Sequence, residues 1–279
     1  MRSTSDSAFR TLIYRWYRVH GRHTLPWRTP ALVPDPSDAL DPYKIVVSEV
    51  MLQQTQLDRV LPYYHAFLKK FPTVKALARA PLKEVLGVWS GLGYNRRALF
   101  LHRCAKVVVH RYRGAFPRER ALLQTLPGIG PYSAAAVAIF AYNAPEVCIE
   151  TNVRTVYLHH FFANKKGVTD EALAARIQRT MDMRHPRRWY WALMDYGSFL
   201  KKGGSVVHRQ SAHYKKQPQF KGSRRELRGK ILRVLLEGPS TLPALQRTLS
   251  VGVPELERIL KALMHEGVIV RRARSYEIP

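Results

Sequence analysis

Cysteine is almost missing from this chain of 279 residues: it has only Cys104 and Cys148, too few for a disulfide framework, and neither has a neighbour at metal-ligand spacing. Both are expected to be small core residues. Acidic side chains are scarce as well, 20 against 46 Lys and Arg, and the resulting net charge of +26 exceeds what solubility needs. Such a surplus excludes a neutral housekeeping surface and points to a polyanionic partner, nucleic acid first. Long apolar runs are absent: the longest, Ala134 to Ala141, is too short to cross a bilayer, and the opening MRSTSDSAFR has no apolar signal core. The expectation is a soluble protein that is cytoplasmic and nucleoid-associated, or otherwise intracellular with the DNA. Strand-like alternation is nearly absent too. With 46% apolar residues available for cores, the fold class expected is mostly α.

Phe9, Leu12, Ile13, Trp16 and Tyr17 recur at helical spacing and stop at Gly21, which predicts an amphipathic helix. Five prolines between Leu25 and Pro42 predict an irregular loop. From Tyr43 to about Arg113 the pattern predicts helices over Ile45 to Arg59, Leu61 to Lys70, Leu82 to Trp89 and Tyr94 to Arg113, with a short turn at Val74 to Ala78. Between Lys201 and Arg233 eleven Lys or Arg face a single acid, Glu226, as in a basic connector. Beyond it come helices over Arg225 to Glu237, Leu242 to Leu249 and Pro254 to Glu266, then two short strands in VIVRRARSYEIP. That order resembles a winged helix, a module that grips DNA in some proteins and other proteins elsewhere.

Three stretches could carry chemistry. LPGIGPYSA, from Leu126 to Ala134, sets Gly128 and Gly130 in a tight turn before an apolar helix. A turn of this kind, a helix-hairpin-helix, offers backbone N–H groups and a helix N-terminus to a DNA phosphate. SEVMLQQTQ places Glu49, Gln53 and Gln56 at i, i+4 and i+7, a polar stripe on an otherwise apolar helix. A carboxyl held against apolar surface has its protonated form favoured, which suits a general acid, whereas a buried hydrogen-bonded network would suit structure alone. PEVCIETNVRT places Glu150 and Asn152 between Ile149 and Val153, where a charge is costly unless paired or used. A surface loop or a buried ion pair with Arg154 are the structural alternatives there.

Taken with LPWR, PYKIVVSEVMLQQTQ, VWSGLGY, LPGIGPYSAAA, ETNVRTV and ALMDYG, in that order from about Leu25 to Lys201, the chain resembles the helix-hairpin-helix (HhH-GPD) DNA glycosylase superfamily, and within it the MutY-type adenine glycosylases. The resemblance implies a monofunctional base-excision enzyme acting on double-stranded DNA that carries a mismatch or lesion. In it Glu49 protonates the everted adenine, Glu150 faces the sugar as the N-glycosidic bond breaks, and Asn152 helps hold the site. Tyr132 stands where bifunctional relatives have a lysine nucleophile, so no Schiff base is expected at that position. Gln54 matches the intercalating glutamine, assisted by Leu52. Gln53, Tyr94, Asn95, Gly128, Gly130, Ser133 and Arg154 are the other residues expected at the DNA. The implied architecture is a two-lobed helical core: one lobe from 1–42 and 146–223 with the basic loop, a six-helix lobe over 43–145, and a winged-helix-like domain over 224–279. A monomer is expected.

Four departures bear on the substrate. Glu150-Thr151 stands where the family has Asp-Gly, one methylene longer. The four cysteines of the family's iron–sulfur cluster are missing after Gly197, so no cluster is expected, and no cofactor beyond a monovalent cation that the helix-hairpin-helix can hold. In their place His208 and His213 lie in a Lys/Arg-rich loop, where phosphate contact or plain solvation is expected over metal ligation. Asn95 replaces a second tyrosine, as in thymine-mismatch relatives, and the tail replaces the domain that recognises 8-oxoguanine. The leading substrate is adenine opposite guanine or 8-oxoguanine. Thymine, uracil or another deaminated base is the second reading, and a non-catalytic, architectural DNA-binding protein the third.

Overall fold

The computed structural model describes residues 5–28, 39–163, 165–204 and 222–279. His208, His213 and most of the basic connector lie outside these. By contacts the chain forms two compact units, one of residues 1–46, 117–125 and 129–216, the other of 47–116, 126–128 and 217–279. Among the described residues the protein is mostly helical, as expected, and no helix is long and apolar enough to cross a membrane.

The first unit opens with α1 (Asp6–His20), whose N-cap Ser5 accepts a hydrogen bond from the Ala8 amide. Phe9, Ile13 and Tyr17 form the buried face of α1, the stripe that the spacing predicts. They meet α9 (Thr151–Phe161), α10 (Asp170–Thr180) and α11 (Pro186–Lys202). The Phe9 ring packs edge-on against Tyr157 at 5.5 Å and Trp189 at 5.8 Å between centroids, a geometry favoured by the ring quadrupoles. The short α7 (Arg120–Gln124) and α8 (Pro131–Tyr142), buried from Ser133 to Ala141, complete this unit; α8 has apolar residues all round, as a core helix should.

The chain passes into the second unit within α2 (Pro42–Leu52). The helix expected over Ile45 to Arg59 is in fact two: α2 stops at Leu52 and α3 (Leu57–Lys70) begins after a turn. Gln53 and Gln56 therefore do not share a helical stripe with Glu49. Local propensity does not announce this break, because glutamine is a good helix former; a tertiary contact described below imposes it. The turn expected at Val74 to Ala78 is a short helix, α4 (Val74–Arg79), capped by Thr73. It packs with α5 (Leu82–Trp89) and α6 (Arg96–Tyr112) around Phe67, Leu77 and Trp89, all fully buried.

The same unit contains α12 (Arg224–Glu237), β1 (Ser240–Thr241), α13 (Leu242–Leu249), α14 (Val253–Glu266), β2 (Val270–Arg272) and β3 (Ser275–Glu277). The strands pair antiparallel in the order β1-β3-β2, with Arg271 and then Ser240 opposite Tyr276. Ile231, Leu235, Leu245, Leu256, Ile259 and Leu263 supply its apolar core. The helix α12 also touches α5.

Candidate active site and nucleic-acid interface

Glu49 lies on α2 between Ser48 and Val50, and only 8% of its surface is exposed. Just beyond, the chain turns back on itself, and the cause is Arg97. Its guanidinium donates to the carbonyls of Val50 at 2.9 Å, Met51 at 2.8 Å and Gln53 at 2.5 Å, to the Thr55 hydroxyl at 3.1 Å and to the Gly93 carbonyl at 3.2 Å. The last carbonyls of a helix lack partners within it, and a cation there also meets the negative end of the dipole. Arg97 thus caps α2 from another helix. Burial pushes its pKa down to about 10, which leaves it charged at neutral pH. Held this way, Gln54 is exposed with a left-handed backbone at φ 54°, while Leu52 and Gln53 are half-buried.

Arg97 also lies over the Tyr94 ring, 5.2 Å from its centroid. Tyr94 has φ 50°, and Asn95 beside it precedes α6 as its half-buried N-cap. The hairpin turn Leu126–Gly130 joins α7 to α8. At Gly128, with φ 78°, a Cβ would approach Phe100 Cβ to 2.6 Å, so a side chain there meets both strain and overlap. Gly130 is the N-cap of α8 and Pro131 its first residue; Tyr132 is half-buried and Ser133 buried.

Glu150 is neither in a surface loop nor paired with Arg154. It is the N-cap of α9, its carboxylate accepting from the amides of Asn152 and Val153 at 2.7 Å each and from the Asn152 side chain at 3.2 Å. Arg154 forms its ion pair with Asp170. Burial pushes the Glu150 pKa up, and the two amides and the Lys201 ammonium of α11 pull against that rise. The carboxyl is therefore fixed and partly desolvated, held by donors that keep it from pairing elsewhere. The Oδ1 atom of Asn152 is buried and has no hydrogen-bond partner among the described residues, an unmet acceptor of the sort that functional sites carry. Gly197 lets α11 press against the Asn152 backbone, where a Cβ would overlap the carbonyl. One turn on, that same face carries Lys201.

Residues 47–181 match the model for the HhH-GPD superfamily base excision DNA repair protein. Compared whole, the chain is 34% identical to the adenine DNA glycosylase of Mycolicibacterium smegmatis, across 92% of this chain and 91% of that one. The chain belongs to the HhH-GPD superfamily of base excision DNA repair proteins. It is also 34% identical to the adenine DNA glycosylase of Buchnera aphidicola over 69% of its own length, but it spans only 52% of that relative. Among solved structures, a thermostable thymine-DNA glycosylase superposes with a TM-score of 0.59 at 25% identity, covering 69% of this chain and 86% of the other.

Among the described residues of this HhH-GPD chain no three His, Cys, Asp or Glu side chains come together as metal ligands. Its two thiols are buried, one in each unit, and burial pushes that of Cys104 up to about 12, where it is a poor ligand. Three structural features were not apparent in the sequence reading. Arg97 is one and Lys201 another; nothing in their spacing marks either. The third joins two of the quoted motifs: Asp195 of ALMDYG accepts from Arg28 of LPWR at 2.8 Å and from the amide of Arg22 at 2.8 Å, in a nearly solvent-free pair. Burial alone would raise the Asp195 pKa, but Arg28 and Arg22 outweigh it and hold the carboxyl below its ordinary range.

Proposed function

We propose that this HhH-GPD protein is a monofunctional DNA glycosylase that removes adenine mispaired with guanine or 8-oxoguanine. The observation that carries the reading is the relative named adenine DNA glycosylase that the chain matches over 91% of that protein's length. The target atoms are hidden in the duplex, so the base is everted before reaction. Glu49, buried on an apolar helix, delivers a proton to the adenine ring as the C1′–N bond breaks and its electron pair moves onto the base. Glu150 stays ionised and stabilises the positive charge that develops on the deoxyribose. Water then adds to C1′ and loses a proton, leaving adenine and an abasic site. With tyrosine at position 132, no covalent sugar intermediate forms there. Gln54, presented at the tip of the turn that Arg97 braces, fills the gap left in the stack. The hairpin turn at Gly128 and Gly130 and the basic tail grip the backbone, and the protein works as a monomer in the compartment that holds the DNA.

A second reading, thymine or uracil opposite guanine, draws on Asn95 and on the likeness to the thymine-DNA glycosylase. Single-turnover assays with excess enzyme on duplexes carrying each mispair, scored as alkali-labile sites, separate the two. Glu49→Gln is expected to lower adenine excision about 10²- to 10⁴-fold while duplex affinity stays within a few-fold. No base released from any mispair would refute the enzyme reading.

A further inference from the structure

Five large apolar side chains stand exposed among the described residues, and three of them gather at one place in the first unit: Leu12 at 42%, Val19 at 68% and Phe199 at 53%. Leu12 and Val19 lie on α1 with Trp16 between them, at i, i+4 and i+7, so the three share a stripe. The stripe borders the Phe9, Ile13 and Tyr17 face that packs α1 into the core, and α11 lies against that face. Phe199 of α11 thereby reaches Trp16, their ring centroids 5.3 Å apart, and Tyr196 and His20 meet the same indole at 5.2 and 5.3 Å. The half-buried Trp16 is thus the floor of a patch held by three rings, with Leu12 and Val19 as one rim and Phe199 as the other. None of these side chains enters the base-excision account above.

The charge around the patch has one sign. Arg15 and Arg18 of α1 and Lys202 at the end of α11 are exposed, and no carboxylate among the described residues pairs with them. Each of the two helices has a single acid, and both are taken: Asp6 pairs with Arg176 at 2.6 Å, and Asp195 is buried against Arg28 at 2.8 Å. An apolar surface ringed by unpaired cations is complementary to apolar side chains set among acids. Three other occupants fit less well. A DNA backbone meets the arginines but sets phosphates against Val19 and Phe199, with no apolar surface to cover them. A second copy carries the same +26, and a two-fold contact across α1 sets Arg15 and Arg18 against their own equivalents. A membrane takes up a helix by a broad apolar face; this stripe is narrow, and Arg15, three residues after Leu12 and four before Val19, would be drawn in with it.

We propose that this patch docks an acidic, amphipathic segment of another protein, whose apolar side chains cover Trp16 and whose carboxylates meet Arg15, Arg18 and Lys202. The mode is a helix laid in a shallow apolar groove, with its anchors at i, i+4 and i+7. The claim does not depend on the glycosylase reading.

The probe is a fluorescein-labelled helical peptide of Glu and Ala with Leu, Phe and Leu at those spacings. One control peptide replaces the three anchors by Ser, and another replaces every Glu by Lys. Anisotropy with the full-length protein is expected to give a dissociation constant of about 10 μM for the probe, a modest affinity suited to a small patch, and at least about ten-fold weaker binding of either control. Val19→Ser and Phe199→Ser, both at exposed positions, should each weaken the probe about five-fold or more while excision stays within about two-fold. The double variant Arg15→Glu, Arg18→Glu should weaken it about ten-fold or more. The control peptides act on the wild type alone, so they carry the test should a variant fold poorly. A probe that does not bind at about 200 μM, controls that bind as well as the probe, or binding that ignores either the serine or the glutamate substitutions overturns the proposal. So do serine variants that lose duplex affinity about ten-fold, that no longer sediment with phosphatidylglycerol vesicles when the wild type does, or that turn a dimer into a monomer on sizing, since the patch then serves DNA, membrane or a second copy.

Discussion

Replacing Arg97 with methionine isolates the contact that divides α2 from α3. Methionine keeps much of the stem's apolar packing but leaves the carbonyls of Val50, Met51 and Gln53 without the donor they share at 2.5 to 2.9 Å. A buried carbonyl left unmet costs about 1–3 kcal/mol. Water can reach the Gln53 end, since Gln54 is exposed and its neighbours half-buried, so about two carbonyls carry the full cost. Against this stands relief from burying a cation, the same burial that lowers the Arg97 pKa to about 10. The net expectation is a loss of about 3 kcal/mol, which a domain of ordinary stability survives. Arg97→Lys should recover only part of it, because Nη1 alone meets the three carbonyls, and an ammonium in its place leaves the Thr55 hydroxyl and the Gly93 carbonyl, which Nη2 holds, without that donor. Urea unfolding at pH 7 gives the first readout, and hydrogen exchange at the Thr55 amide, which donates to the Leu52 carbonyl at 3.2 Å, gives the second. Excision should fall with them, because Gln54 is no longer presented in one conformation. A variant within about 1 kcal/mol of wild type, with Thr55 still protected, would show that the turn is set by its own sequence and that the bracing role is mistaken.

Three further outcomes follow from the same structure. Asp195→Asn leaves Arg28 buried without its counter-charge and should cost about 3–5 kcal/mol. Because the folded Asp195 pKa is below the unfolded one, this contribution is complete above about pH 4 and fades as pH falls through the folded value, so the gap between variant and wild type in urea should narrow in acid; a gap independent of pH contradicts the pairing. Lys201→Met removes the ammonium that opposes the upward push of burial on Glu150, so the acid limb of single-turnover excision, where the carboxylate becomes protonated, should move to higher pH, and an unmoved limb would disconnect Lys201 from the site. Gly229→Ala should raise stability by about 0.5–1 kcal/mol, since the helix gains propensity with no overlap, and destabilisation on thermal melting would mean that α12 is packed there.

Much of the helical plan was legible along the chain, because an amphipathic helix is written by its own residues. Phe9, Ile13 and Tyr17 predict their buried face, and Pro81 and the apolar run to Trp89 bound α5, each without reference to anything distant. The three tail helices and the strand pair likewise follow from local spacing, capping by Ser223 and Thr241, and a turn at Gly267. What the sequence could not disclose are the relations that depend on residues far apart in number. Glutamine-rich text from Gln53 to Gln56 reads as helix, and only an arginine forty-odd residues on, brought to the C-terminal carbonyls of α2 by the packing of α6, ends it. Glu150 reads as a charge seeking a partner; two amides of the helix it begins meet it at 2.7 Å, and the ammonium that opposes its burial comes from Lys201, fifty-odd residues on. Asp195 and Arg28 stand 167 residues apart, yet the nearly dry contact they share requires both. Local order is decided by propensity and periodicity, which any stretch carries within itself; desolvation, ion pairing and the shape of a cavity exist only once distant surfaces have met.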